Sequence, residues 1–208
     1  MQAQHSTITF YVDMIYRLQM KRIAADYTQE ELSFLLGYPP DQVSRIESFD
    51  TDALVYLTDL NRLAIIFDCE LLALTPGYPI SQQKIEIFTD YNQDSFRNYY
   101  SIYRIKAAGQ SELFYKIIED RPEFASQPKD KEAIQVKIEE SISRLITGGS
   151  FTEGMEVWDI YQCSREQIQR RYAPRLLQEV LQKYVYGDHP LLEARTVENR
   201  VTYYVKQG

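Results

Sequence analysis

Apolar residues recur at helical spacing along the first third of this chain. Phe10, Met14, Ile15, Leu18 and the run from Arg22 to Ala25 form an interrupted stripe that predicts a helix over residues 8 to 26. Thr28 then stands as an N-cap with Glu31 three positions on, which is the capping-box spacing. Leu32, Leu35 and Leu36 make the next stripe, and Gly37 follows where a helix end favours positive φ. Pro39 and Pro40 can open another helix, since its first turn needs no backbone N–H, and Val43 and Ile46 continue it. A fourth helix is expected from about 52 to 67, with Leu54, Leu57, Leu60, Leu63 and Ala64 inward. A fifth fits 69 to 74, before Thr75-Pro76-Gly77-Tyr78-Pro79 ends the run.

Two more helices are expected at 81 to 90 and 94 to 108, divided by Tyr91-Asn92-Gln93. Gly109 closes the second, Ser111 caps a third over 112 to 119, and Arg121-Pro122 stops it. Residues 125 to 130 are polar and predict a linker. Ile134, Ile138, Ile142, Leu145 and Ile146 then mark a helix over 131 to 146, ended by Gly148-Gly149. Shorter and longer helices fit 153 to 161 and 174 to 184. After Gly187-Asp188-His189-Pro190 the period becomes alternating: Leu192, Ala194 and Thr196, then Val201, Tyr203 and Val205. This predicts a hairpin with Asn199 in its turn. The fold expected is mainly α, with a domain over 1 to 77, a helical connector and candidate dimerisation segment over 78 to 128, and a third region over 129 to 208.

Two short helices joined by a glycine-containing turn make a helix-turn-helix. Thr28-Gln29-Glu30-Glu31-Leu32, Leu35-Leu36-Gly37 and Val43-Ser44-Arg45-Ile46-Glu47 resemble the Xre/lambda-repressor-like DNA-binding family. The resemblance runs on through Asp59-Leu60, Leu63-Ala64 and Leu71-Leu72, and covers about residues 8 to 75. It implies a five-helix domain whose third helix enters the major groove. On that pattern Gln29 meets a phosphate, and Pro40, Asp41, Gln42, Ser44 and Arg45 lie along the base-reading helix. Gln42 suits adenine and Arg45 guanine. The last segment, three helices and then a hairpin, resembles a winged helix; a helical dimerisation domain ending in a hairpin fits the same pattern.

Charge changes the picture. Non-specific DNA affinity comes from Lys and Arg neutralising phosphates. Residues 1 to 77 hold five cations against eleven anions, nearly all of the chain's net charge of −7. The loop after the base-reading helix is Ser48-Phe49-Asp50-Thr51-Asp52, acidic where the family is basic. From residue 160 onward there are eight cations against five anions. Arg170, Arg171 and Arg175 surround the opening of the last long helix, Arg200 lies at the hairpin turn, and these are the second set of candidate DNA contacts. The same four residues also suit a solvated face paired with acids.

At 208 residues with 44% hydrophobic content, the chain can bury a substantial core. No apolar run is long enough to span a bilayer and the N-terminus lacks signal-peptide character, so a cytoplasmic, bacterial or phage protein is expected, with no membrane partner. Cys69 and Cys163 are expected as free thiols. Seventeen tyrosines, clustered as in Tyr99-Tyr100, suit the margins of cores or interfaces. His5 and His189 are the only histidines; no zinc spacing, phosphate loop or paired catalytic carboxylates stand out. The expectation is therefore no enzyme, no metal and no cofactor. Two functions remain: a homodimeric DNA-binding transcriptional regulator of the Xre-like type, or an acidic helix-turn-helix module that binds a basic protein partner without DNA contact through its N-terminal domain.

Overall fold

The computed structural model describes residues 2–77, 83–106, 110–120 and 130–206. Its fold is α+β, which corrects the mainly α expectation. The chain divides into two compact units: Met1–Thr28 with Ser44–Ser126, and Gln29–Val43 with Gln127–Gly208. The expected stop at Tyr78-Pro79, Gly109, Arg121-Pro122 and most of the 125-to-130 linker lie outside the described residues.

The first unit is built on a four-stranded antiparallel sheet in the order β1-β2-β3-β4. The strands are β1 (Gln2–Ile8), β2 (Lys84–Gln93), β3 (Arg97–Ile105) and β4 (Ser111–Asp120). The three middle segments expected as helices are thus strands. Their physical signal is alternation: Ile85 and Ile87 are both buried while Glu86 between them is exposed. On a helix, positions two apart point roughly 200° away from each other; on a strand they share a face. Tyr91, Asn92 and Gln93 continue β2 instead of dividing two helices. The break comes at Asp94, whose carboxylate accepts the backbone N–H groups of Phe96 (2.7 Å) and Arg97 (2.8 Å). That self-bonded acidic side chain closes the β2–β3 hairpin.

His5 belongs to β1, opposite Ile87. α1 (Thr9–Ala24) buries Val12 and Ile15 completely. α4 spans Leu57–Ile66 and starts later than expected, because Asp59 accepts the Tyr56 backbone N–H at 3.0 Å. Leu54 and Leu57 consequently stand 50% and 70% exposed instead of facing inward. The expected fifth helix is a single 3-10 turn, Leu71–Ala73, so the five-helix N-terminal domain is not present.

The second unit contains α2 (Gln29–Leu35), the first two residues of α3 (Gln42–Glu47), α5 (Lys131–Thr147), β5 (Met155–Glu156), α6 (Val157–Ile168), α7 (Pro174–Tyr186), β6 (Leu192–Val197) and β7 (Arg200–Val205). The boundary between the units falls inside α3. β7 lies between β5 and β6 in a three-stranded antiparallel sheet. Ile134, Ile138 and Ile142 of α5 pack with Ile160 of α6 and Leu176, Leu177 and Val180 of α7 in a core from which water is excluded. Glu198 (φ 48°) and Asn199 (φ 64°) form the two-residue turn joining β6 to β7, the left-handed pair that suits the twist of a hairpin.

Candidate nucleic-acid interface

The segment from α2 to α3 owes its local geometry to bonds made by Ser33 and Gly37. Ser33 Oγ donates to the Gln29 carbonyl and accepts the Val43 backbone N–H at 3.0 Å, tying α2 to the start of α3. Gly37 adopts φ +74° at the end of α2, and its carbonyl accepts the Val201 N–H at 2.7 Å. A side chain there would be strained by φ and would press on the Val201 carbonyl at 3.3 Å. The turn is therefore fastened to strand β7 of its own unit.

The residues expected to read DNA from this segment differ in exposure. α3 has six residues, little more than one and a half turns. Pro40, Asp41 and Ser44 are exposed, while Gln29 and Gln42 are half-buried. Arg45, the expected guanine reader, donates its Nε to Asp50 at 2.7 Å. That hydrogen bond is the chief reason the Asp50 carboxyl is held below the usual carboxylate range. The bond fixes the Arg45 side chain toward the following loop through Nε.

The second group surrounds α7. Arg170 pairs with Asp130, and Arg171 is exposed just before the helix. Pro174 occupies the first helical turn. The Arg175 backbone N–H points to Glu31 Oε1 of α2 at 3.4 Å, and Glu31 is 6% exposed. A buried carboxylate thus occupies the positive end of the α7 dipole, where a phosphate would otherwise be favoured. Arg200 lies over the Tyr38 ring, 5.2 Å from its centroid. Of the residues named from sequence, Arg175 and Arg200 come against the α2–turn segment in one unit, whereas Ser44 and Arg45 belong to the other.

Sequence spacing does not point to Glu31, Tyr38 or Asp130 as partners of these arginines, because each acts on a residue at least forty positions away. It also passes over the outward row of α7. Gln178 is half-buried, Gln182 is exposed and Tyr186 is 80% exposed, all at helical spacing. Neighbouring cations on this unit are paired: Lys183 with Glu139 at 2.8 Å, Lys131 with Glu179 at 2.9 Å, and Arg195 with Glu193. Neither unit is basic; the first holds eleven cations against fifteen anions and the second twelve against fifteen.

Among the described residues there is no group of three metal-ligating side chains, and no helix is long and apolar enough to cross a membrane. Cys69 and Cys163 are free thiols, and burial pushes the Cys163 thiol up. No family model, curated protein or solved structure matches the chain.

Proposed function

We propose that this protein is a cytoplasmic DNA-binding regulator that reads duplex DNA with α7 and the β6–β7 hairpin of its second unit, and not with α3. The observation that carries this reading is the order of elements in that unit: helix, strand, two helices and a hairpin. In it α7 presents the polar row Gln178, Gln182 and Tyr186 to solvent. Glutamine offers paired donor and acceptor groups that suit the major-groove edge of adenine. Arg170 and Arg171 precede α7 and Arg195 lies on β6, and the exposed ion pairs of Arg170 and Arg195 can exchange a carboxylate for a phosphate at low energetic cost.

The expected affinity is weak, because the unit as a whole is slightly acidic, and it falls with added salt in proportion to the phosphates contacted. Fluorescence anisotropy of the full chain at low salt, on duplexes from its own upstream region, tests it. Gln182→Ala is expected to cost about 1–3 kcal/mol and to relax base preference, and Arg171→Ala to weaken all duplexes alike. Binding that ignores both substitutions but responds to Gln42→Ala would return the contact to α3 and end this proposal.

One observation favours a second reading for α2 and its turn. Residues 29 to 43 carry Glu30, Glu31 and Asp41 and no cation, and Pro39, Pro40 and Asp41 are exposed. That chemistry suits a basic protein surface better than DNA. Retention of a basic partner that is lost on Asp41→Lys, with DNA affinity unchanged, would support it.

A further inference from the structure

The four-stranded sheet has two unlike faces. One carries Ile85, Ile87, Ile102 and Ile117, all at most 6% exposed, and belongs to the core of the first unit. The other face is reached by the alternate residues. On it lie Phe88, Tyr99, Tyr103, Leu113 and Ile118, and the last two stand 51% and 47% exposed. Phe88 and Tyr103 are cross-strand neighbours with ring centroids 6.1 Å apart. Tyr99 and Ile118 oppose each other across β3 and β4. An antiparallel sheet with one wet face normally alternates apolar inward with polar outward; this one carries aromatic and aliphatic side chains on both faces.

We infer that this outer face is where two copies of the chain pack sheet against sheet. Charge, area and anatomy together select a second copy as the occupant. The face carries Lys84, Arg97 and Lys116 against Glu86, Asp90 and Asp120, which balance, although the chain as a whole is at −7. A patch that meets its own image in a two-fold interface must not carry a single sign, whereas a nucleic-acid or basic-peptide partner selects one. Two of those charges are already matched within the face, Arg97 to Asp120 at 3.1 Å.

The available area agrees. Four strands about 4.8 Å apart and about nine residues long at ~3.3 Å each cover roughly 600 Å², before side-chain relief is counted. Standard interfaces bury about 800 Å² per partner, so this single face supplies most of what a dimer needs. Two apolar rows, Phe88–Tyr103–Leu113 and Tyr99–Ile118, stand on either side of a polar row of Asp90, Ser101 and Lys116, and Lys84, Arg97 and Asp120 stand at the strand ends. The candidate dimerisation segment read from sequence falls on this region, but its surface is a sheet and not a helix pair.

Sedimentation velocity on the full chain tests the inference across roughly 1 to 100 µM, a span that brackets micromolar self-association. A reversible monomer–dimer equilibrium is expected. Ile118→Lys and Ile118→Glu should each weaken it about tenfold or more, with the circular dichroism spectrum unchanged because Ile118 is already half exposed. Tyr186→Ser, on α7, should leave the equilibrium unchanged. A chain that stays monomeric at the top concentration would overturn the proposal, as would a dimer indifferent to both Ile118 variants. Binding of single-stranded DNA that Ile118→Glu abolishes, with no dimer, would assign the face to nucleic acid and also overturn it.

Discussion

Arg22 and Arg170 are both arginines paired to carboxylates, yet they occupy opposite environments. The Arg22 side chain is fully buried on α1. Its Nε and Nη2 donate to both oxygens of Glu47, at 2.7 and 2.9 Å, and it also donates to Glu119 and to the Tyr27 carbonyl. Tyr100 adds a hydrogen bond to Glu119 at 3.1 Å, and burial with that nearby carboxylate pushes its phenol up. Burial alone would lower the Arg22 pKa, but Glu47 and Glu119 outweigh it and keep the charge in place. Arg170 and its partner Asp130 are each about half exposed, at 51% and 47%. The first pair is locked by geometry and excluded from water; the second has alternatives. A buried arginine between two acids specifies a fold, while an exposed arginine with one acid is available to a ligand.

The sharpest way to break that distinction is to remove each arginine in turn. Arg22→Met leaves the buried Glu47 and the part-buried Glu119 without a counter-charge, which should destabilise the chain by about 3–5 kcal/mol. Urea denaturation followed by circular dichroism reads this directly. Adding Glu47→Gln and Glu119→Gln to Arg22→Met should recover part of the loss, because uncharged groups tolerate burial better. Arg170→Ala should stay within about 0.5 kcal/mol of the parent. Equal effects from the two single substitutions would mean that burial is not what separates them.

The next test concerns ligand availability. Arg170→Glu with Arg171→Glu should lower duplex affinity at low salt by about tenfold or more and flatten its salt dependence, since two phosphate contacts become two repulsions. The denaturation midpoint should hardly move. A smaller effect is expected at Arg45→Ala. Duplex affinity should change less than about twofold, the ordinary scatter for a residue outside the contact. The Asp50 carboxyl, deprived of its main hydrogen-bond donor, should titrate closer to the ordinary carboxylate value by carbon-detected NMR. A large fall in affinity would restore the helix-turn-helix as the reader.

The two units also differ in how far the sequence foretells them. α1, α5 and α7 fall close to their expected spans, because a long apolar stripe at helical spacing suits no strand. The terminal hairpin is legible because β6 and β7 are local partners with a two-residue turn. The sheet of the first unit is not. β1 pairs with β2 some eighty residues later, so nothing near residues 2 to 8 announces a strand. β2 to β4 mix tyrosines, isoleucines and charges on both faces, and that second apolar face blurs the alternation that usually betrays a strand. Arg22 is visible in the sequence only as a cation at an apolar stripe position, four residues after Leu18; its two acids come from separate, distant segments. The stretch from Thr28 to Glu47 carries the short helices α2 and α3, yet the pairing of Arg45 with Asp50 emerges only in the folded chain.

The smallest expected effect separates the sheet from the second unit by pH. Burial holds the His5 pKa below its ordinary 6.5, and the nearby Asp50 carboxylate only partly offsets this. His5 lies on β1 beside the Phe49 ring, centroids 6.2 Å apart, so protonation puts charge against an aromatic wall. The unfolded chain binds that proton more readily than the folded one. Stability from the neutral imidazole is therefore complete above about pH 6.5 and declines as pH falls from there toward the lowered folded value. The melting temperature should drop by at most about 2 °C on that account, since the ring is only partly buried. His5→Asn should flatten the profile in this window while leaving duplex affinity unchanged, because the imidazole and α7 belong to different units. If the profile keeps its slope in the variant, the titrating group lies elsewhere and His5 is not its source.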